Sequence, residues 1–173
     1  MNIFVLDEDP VVAAEMYCDK HVPKMVVELY QQLGSALRRH GATDDMMPVT
    51  QAGKPLKGGY HNHPCTKWVG DSTINYTWAS NHAKQLCKEY TLRFKKRHFC
   101  EDGIDKMYWI DVLKMPFPGV AMTHFALAMP DEYKSSNAVD SYRRYYIMEK
   151  ARFAKWEKGR DAPYWWNKEE CHV

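Results

Sequence analysis

The chain is organised around residues 18–29, which read Cys-Asp-Lys-His-Val-Pro-Lys-Met-Val-Val-Glu-Leu. This stretch places the imidazole of His21 seven residues before the carboxylate of Glu28, close to two helical turns, so both side chains project from one face. A separate apolar stripe at helical spacing is formed by Val26, Leu29, Leu33 and Leu37. The pattern predicts a helix whose polar face carries His21, Lys24 and Glu28. A solvated helix surface and an active-site helix both fit it.

Length and composition indicate one globular domain spanning residues 1–173. Hydrophobic residues make up 45% of the chain and aromatic residues 13%, which argues against disorder. The six Trp and eleven Tyr exceed what a core of this size needs, and surplus aromatic side chains often form a binding surface. The sequence has no signal peptide and no long apolar run, so we expect no membrane contact and a cytoplasmic location.

The net charge of +2 does not by itself indicate a nucleic-acid-binding protein, but the basic residues are clustered. One cluster contains a single acid and comprises Lys84, Lys88, Arg93, Lys95, Lys96 and Arg97. A second cluster comprises Arg143, Arg144, Lys150, Arg152, Lys155, Lys158 and Arg160. Such clusters can steer a polyanion to one face of a protein, although ordinary solvated helix faces give the same pattern.

Helix signals recur along the chain and predict an all-α fold, a compact helical bundle with long loops. A first helix is expected over residues 10–20, because Asp9 can cap it and Pro10 suits its first position. Pro23 disfavours helix at residue 22, so we expect a break there and a second helix that continues to about residue 40. No repeat and no convincing β-hairpin is found.

Residues 41–70 lack periodicity and predict a long loop, which contains Gly58-Gly59-Tyr60-His61-Asn62-His63-Pro64. Further helices are expected over residues 72–98, 105–113 and 137–158, with irregular structure at 115–134. The expected buried side of the first of these is formed by Ile74, Trp78, Leu86, Tyr90 and Phe94. The aromatic tail Pro163-Tyr164-Trp165-Trp166 is unlike an idle linker.

The Cys and His residues allow two further interpretations, a zinc site and thiol catalysis. The C-x-x-H spacing of Cys18 and His21, with the H-x-H-x-C spacing of His61, His63 and Cys65, could supply four zinc ligands. Five Cys and eight His also allow a Cys–His catalytic pair, although no recognisable nucleophile context surrounds any of them. The odd number of widely spaced cysteines favours reduced thiols. We expect no metal and no cofactor.

Glycosidic chemistry on DNA is a further possibility. Removing a base from deoxyribose passes through a cationic sugar, which a nearby carboxylate can stabilise. If an amine attacks C1′ instead, a Schiff base forms and strand cleavage can follow. The target base or its partner leaves the stack, which requires aromatic or amide groups and basic phosphate contacts. Glu28, the aromatic residues and the two basic clusters supply such groups, but composition alone does not select this chemistry.

Two segments resemble a known family. Asp19-Lys20-His21-Val22, followed by Glu28-Leu29 and Gly34, is similar to the first-helix pattern of the phage pyrimidine-dimer DNA glycosylases of the endonuclease V type. The loop Gly59-Tyr60-His61-Asn62-His63-Pro64 with Trp68 resembles the G-Y-x-N-H-P segment of the bacterial branch. The resemblance covers about three fifths of the chain, and the aromatic tail adds a weaker similarity. The opening residues are also similar to uncharacterised phage proteins, which suggests a viral source and the host cytoplasm.

The resemblance implies a compact all-α fold, double-stranded DNA as substrate and excision of a damaged or modified base. Glu28 falls on the catalytic glutamate of the family and His21 on its active-site histidine, while Asn62 and His63 would line or brace the same pocket. The candidate DNA contacts are Lys20, Lys24, Gln31, Tyr60, Asn62, His63, Trp68, Lys95, Lys96, Arg97 and Trp165. We expect a monomer.

The sequence departs from the family pattern in three ways. The family nucleophile is a small N-terminal residue exposed by Met removal; here Asn2 is too large for that, so Met1 would supply the amine. The arginines that flank the family glutamate are replaced by Val27 and Gln31, which argues against the ordinary pyrimidine dimer as substrate. Residues 115–134 form an insertion that gives this chain a surface that the shorter phage enzyme lacks. A non-enzymatic phage protein that binds DNA or a host protein on the same scaffold is the alternative.

Overall fold

The computed structural model describes residues 2–166. Within them the chain forms six α-helices: α1 (Pro10–Glu15), α2 (His21–Arg39), α3 (Pro64–Gly70), α4 (Thr73–Phe94), α5 (Glu101–Tyr108) and α6 (Ala138–Lys150). Short 3-10 turns occupy Asp44–Met46, Val112–Lys114 and Asp131–Tyr133. This part of the chain contains no β-strand, only an isolated bridge between Val49 and Pro55, and no helix long and apolar enough to cross a bilayer. The predicted all-α class is confirmed.

Helix α2 lies at the centre of the fold and packs against α3, α4 and α5, while α1 packs on α4. The predicted apolar stripe of α2 is buried and comprises Val26, Leu29, Leu33 and Leu37. The face that carries His21 and Glu28 is buried as well, and Lys24 alone of the three predicted polar residues is exposed. The interpretation of this face as a solvated surface is therefore wrong.

The predicted starts of α1, α4 and α6 are confirmed, because local hydrogen bonds define them. The Asp9 carboxylate accepts the N–H groups of Val11 and Val12 at the start of α1. Ser72 caps α4 and Asn137 caps α6 in the same way.

The predicted end of the second helix near residue 40 is confirmed, since α2 ends at Arg39. The predicted ends of α4 and α6 are wrong, because contacts remote in sequence decide them. Helix α4 stops at Phe94, where Lys95 takes a left-handed conformation with φ 59°. Helix α6 stops at Lys150, well before residue 158, and the chain then turns back so that Lys155 accepts the N–H of Asp19. No Gly or Pro stands at either end to mark the stop in the sequence.

The helix break comes before Pro23, not at it. Residues 16–20 form a turn, and α2 begins at His21 with Pro23 in its first turn, where a backbone N–H has no helical partner. Residues 64–70, predicted as loop, form α3, which is too short to show apolar periodicity. Helix α5 lies a few residues earlier than expected, and Ile74 is 45% exposed instead of buried.

A buried ionic network fixes the turn that leads into α2. The guanidinium of Arg93 is fully buried and binds the carboxylates of Glu89 and Asp19 together with two carbonyls near the end of α1. Arg160, beyond α6, binds Glu89 through both its Nε and Nη2. The second oxygen of Asp19 accepts the N–H of Glu157. Asp19, two positions before His21, is therefore held both by α4 and by the segment after α6.

Candidate active site

His21 and Glu28 lie two turns apart on one face of α2, and both are buried, being 6% and 5% exposed. Burying an imidazole or a carboxylate costs free energy unless neighbouring groups compensate for the lost water. The groups around these two side chains therefore define the site.

The ring of His21 lies in an aromatic cage formed by Phe4, Tyr146 and Phe153. Phe4 stacks parallel to the imidazole with ring centroids 4.8 Å apart. Tyr146 and Phe153 meet its edge at centroid distances of 5.2 and 5.4 Å. The three cage residues come from the N-terminal segment, from α6 and from the chain just beyond α6. Folding thus brings three distant parts of the sequence onto one side chain of α2.

His21 is neutral at physiological pH. Burial, together with the nearby ammonium groups of Lys150 and Lys24, lowers its pKa to about 3. Its Nδ1 lies 2.7 Å from the hydroxyl of Tyr146. A neutral imidazole has one donor nitrogen and one acceptor nitrogen, so the ring can orient a partner but does not carry a charge.

The carboxylate of Glu28 holds a cation on its solvent side. The Nζ of Lys24 lies 3.6 Å from Glu28 Oε1, and the side chain of Lys24 is 66% exposed whereas that of Glu28 is 7% exposed. The Lys24 ammonium therefore occupies the side from which a positively charged group in solvent would reach the Glu28 carboxylate.

The predicted loop packs directly onto α2 one to two turns beyond Glu28. Ser35 Oγ donates to the carbonyl of Gly59 at 2.6 Å and accepts its N–H at 2.8 Å. Gly58 has φ +85°, and a Cβ there would clash with Ser35 Oγ. A Cβ on Gly59 would lie 3.2 Å from Oε1 of Gln31. Glycine at these positions thus lets the two motifs meet in space.

The side chains of residues 60–63 in this loop differ in their exposure to solvent. Tyr60 has φ 58° and is 43% exposed, and His61 and Asn62 are exposed next to it. His63 is half-buried, and its Nδ1 accepts the N–H of Cys65 to cap α3. Tyr60 and Asn62 are therefore available at the surface, whereas one nitrogen of His63 is engaged in the fold.

The N-terminal segment joins the loop to the cage. The N–H of Ile3 donates to the sulfur of Cys65 at 3.4 Å, and the N–H of Phe4 donates to the hydroxyl of Tyr17 at 2.8 Å. The start of the chain is thereby aligned along the site. Met1, the expected amine nucleophile, lies outside the described residues.

Cations surround the cage from two sides. The Nζ of Lys20 lies 4.6 Å from the ring centroid of Phe153, and the guanidinium of Arg152 lies 5.8 Å from the same ring. The Nζ of Lys150 lies 5.9 Å from the ring of Phe4. The family resemblance predicts Lys20 as a DNA contact, whereas the sequence places Lys150 and Arg152 only in a basic cluster.

The basic end of α4 adjoins the start of α2, because His98 Nε2 donates to the carbonyl of Pro23 at 3.1 Å. Lys95 and Lys96 are exposed in this turn. Arg97 instead pairs with three carboxylates of α5, the closest at 2.7 Å, so its charge is largely compensated within the protein.

Two predicted DNA-stacking residues are used for packing. Trp68 is 4% exposed, and its ring packs against Trp78 and Phe125. The prediction that Trp68 stacks on DNA is wrong, since the core covers its ring. Trp165 is half-buried and donates from Nε1 to the sulfur of Met16 at 3.3 Å, which anchors the tail.

The metal and thiol alternatives find no support in the described residues. Between residues 2 and 166, no three His, Cys, Asp or Glu side chains lie close enough to share a metal ion. Burial raises the pKa of the Cys18 and Cys65 thiols, and that of Cys100 to about 12. Protonated thiols are poor nucleophiles and poor metal ligands.

A family model described as pyrimidine dimer DNA glycosylase matches residues 1–102, more than half of the chain. The match contains His21, Glu28 and the loop that packs on α2. This chain belongs to the pyrimidine dimer DNA glycosylase family. No curated protein and no solved structure matches it.

The family match ends before the site is complete. Tyr146 and Phe153 lie beyond residue 102, yet their rings contact that of His21. Lys150 and Arg152, also beyond residue 102, lie over the rings of Phe4 and Phe153. Tyr146 is completely buried in the last helix. Nothing in the helical spacing indicated which side chain it would contact, so sequence reasoning missed these four as site residues of this family member.

Proposed function

We propose that this protein is a DNA N-glycosylase that excises a damaged or modified base from double-stranded DNA with the assistance of Glu28. The proposal is carried by one observation: a buried carboxylate on α2 holds an ammonium on its solvent side, two turns from a neutral histidine. A carboxylate in a site of low dielectric stabilises positive charge more strongly than one in water.

The chemistry follows from that geometry. The bond between C1′ and the base nitrogen breaks, its electron pair leaves with the base, and positive charge develops on the sugar. Glu28 stabilises this charge in the position that Lys24 occupies now, and the flexible lysine swings to a phosphate. His21, being neutral, orients Glu28 or donates its N–H to a phosphate oxygen. Water, or an amine of the protein, then bonds to C1′.

The surrounding cations are suited to the DNA backbone. Lys20 and Lys24 project from the first turn of α2, and Lys95 and Lys96 from the adjoining turn after α4. We assign phosphate contacts to these four residues, which makes binding salt-dependent through counterion release.

The opposite edge of the site supplies groups that suit an unstacked base. Tyr60, Asn62 and Gln31 lie where the loop meets α2, and they combine an exposed ring with side-chain amides. Val27 and Gln31 stand in place of the family arginines, so we propose a modified base other than the ordinary pyrimidine dimer as substrate.

We also propose that a lyase step can follow, with the amine of Met1 as nucleophile. Its nitrogen would bond to C1′ as the base leaves, and loss of a proton with ring opening would give a Schiff base. The hydrogen bond of Ile3 to Cys65 and the stacking of Phe4 on His21 support this, because they align the start of the chain with the site. Borohydride reduction of a reaction mixture should trap a DNA adduct that maps to Met1.

Substitution Glu28→Gln tests the glycosylase proposal, because it keeps the size and burial of the side chain and removes its charge. Duplexes carrying pyrimidine dimers, alkylated, oxidised and hypermodified bases are incubated with the protein, and the released bases are identified by mass spectrometry. We expect release to fall at least about a hundredfold with DNA affinity nearly unchanged. The matched control is Glu132→Gln, which alters an exposed carboxylate in the 3-10 turn before α6.

Full activity of Glu28→Gln would refute the assignment of Glu28. Salt-dependent DNA binding by the wild type, without base release from any duplex, would favour a non-enzymatic DNA-binding protein on this scaffold.

A further inference from the structure

Helix α6 lies outside the family match, yet its Tyr146 is in direct contact with His21. Tyr146 is completely buried. Its hydroxyl oxygen accepts the backbone N–H of Cys18 at 3.0 Å and lies 2.7 Å from Nδ1 of His21. One phenol therefore joins the turn before α2 to the ring of the candidate active-site histidine.

The positions of the Tyr146 hydroxyl hydrogen and of the His21 ring hydrogen follow from the small number of hydrogen-bond acceptors around the phenol. A phenol has one hydrogen to donate, and one lone pair of Tyr146 is already occupied by the N–H of Cys18. Among the described residues, Nδ1 of His21 is the close nitrogen acceptor; the sulfur of Cys18 also lies beside the hydroxyl, but a thiol is a weak acceptor. A buried hydroxyl hydrogen without a good acceptor is unfavourable. Tyr146 thus donates to Nδ1, and neutral His21 carries its hydrogen on Nε2.

We propose that Tyr146 is a positioning residue that holds the ring of His21 in the tautomer with its hydrogen on Nε2, so that α6 completes the site that α2 begins. The Nε2 N–H is then the donor that His21 offers on the ring edge away from Tyr146. Any effect of this donor on base release rests on the proposed glycosylase function, whereas the assignment of the tautomer does not.

Other contacts hold α6 in place when the phenol hydroxyl is removed. The hydroxyl of Tyr142 donates to the carbonyl of Ala126 and accepts the N–H of Ala128. Arg143 Nε donates to the carbonyl of Leu6 at 2.8 Å. Substitution Tyr146→Phe keeps the ring in the aromatic cage, so we expect the variant to fold.

The test is ¹⁵N NMR of the histidine rings in the full chain, with His21→Gln to assign the signals. In the wild type we expect the shift of an unprotonated nitrogen at Nδ1 of His21 and of a protonated one at Nε2. In Tyr146→Phe we expect both shifts to move toward values averaged between the two tautomers. Tyr145→Phe is the matched control, because its hydroxyl lies near Lys150 and does not contact His21.

A protonated Nδ1 in the wild type would overturn the proposal without any variant, and so would a Tyr146→Phe spectrum identical to that of the wild type. On a duplex that the wild type processes, we expect Tyr146→Phe to lower kcat about tenfold with KM unchanged, the effect of one lost hydrogen bond. An unchanged kcat would remove the catalytic consequence. Absence of base release from the wild type would instead refute the glycosylase function, while the NMR result would still decide the role of Tyr146.

Discussion

His21 and His82, two of the three buried histidines among residues 2–166, are expected to make the protein unstable in mild acid. His21 lies in its aromatic cage, and His82 is fully buried in α4. Nδ1 of His82 donates to the carbonyl of Pro10 at 2.8 Å, and its Nε2 lies 2.9 Å from the hydroxyl of Tyr17. Both imidazoles are neutral in the folded chain because burial lowers the pKa of His21 to about 3 and that of His82 to about 4.

The sign and size of the effect follow from these pKa values. An unfolded histidine has a pKa near 6.5, so between that pH and about 4 the unfolded chain binds protons that the folded chain does not. Stability is therefore complete above pH 6.5 and falls as the pH decreases. At pH 5 each histidine removes about 2 kcal/mol, so the two together remove about 4 kcal/mol. That is a large part of the stability of an ordinary domain.

The assay is urea unfolding followed by tryptophan fluorescence at pH 8, 6.5 and 5. We expect His82→Gln, like His21→Gln, to lower stability at pH 8 but to remove about half of the loss that His21 and His82 together cause between pH 6.5 and 5. His124→Gln, which changes an exposed imidazole, measures the effect of losing a histidine that the core does not enclose. If both buried-site variants kept the pH dependence of the wild type, the buried histidines would not be its origin.

Two further variants test contacts that support the site. Arg93→Met leaves two buried carboxylates with fewer partners and should lower the free energy of unfolding in urea by about 3–5 kcal/mol. Arg97→Met, at the exposed end of the same segment, should cost clearly less. Equal losses would contradict a structural role for the buried network. Gly58→Ala adds a clash with Ser35 to an unfavourable positive φ, whereas Gly53→Ala has the positive φ without any atom nearby and should cost about 1 kcal/mol. Gly58→Ala should lower the free energy of unfolding clearly more than Gly53→Ala. Equal urea midpoints for the two variants would show that the loop does not press on α2.

Much of the fold could be predicted because its signals are local. Asp9, Ser72 and Asn137 each accept an N–H two or three residues ahead, so the sequence marks these helix starts directly. The end of α2 is marked as well, because Gly41 follows it with φ +90°, whereas the ends of α4 and α6 carry no such marker. Lys95 and Lys150 end their helices without Gly or Pro, because the following residues form contacts with distant parts of the chain.

The candidate site was predicted in part. Glu28, His21 and the loop at residues 58–64 were identified from the sequence, and the glycine contacts with Ser35 bring them together. Trp68 was assigned to DNA, but it lies in the core against Phe125. An aromatic residue looks the same in a sequence whether it packs or binds, and only its neighbours distinguish the two uses.

The sequence by itself determined the helical class, the family and the spacing of His21 and Glu28 on one face of α2. These properties depend on residues close together along the chain. The tertiary structure alone decided that this face is buried, that His21 is neutral, and that Tyr146 and Phe153 enclose it. Burial and hydrogen-bond partners arise from contacts between residues more than a hundred positions apart, and helical periodicity contains no information about them.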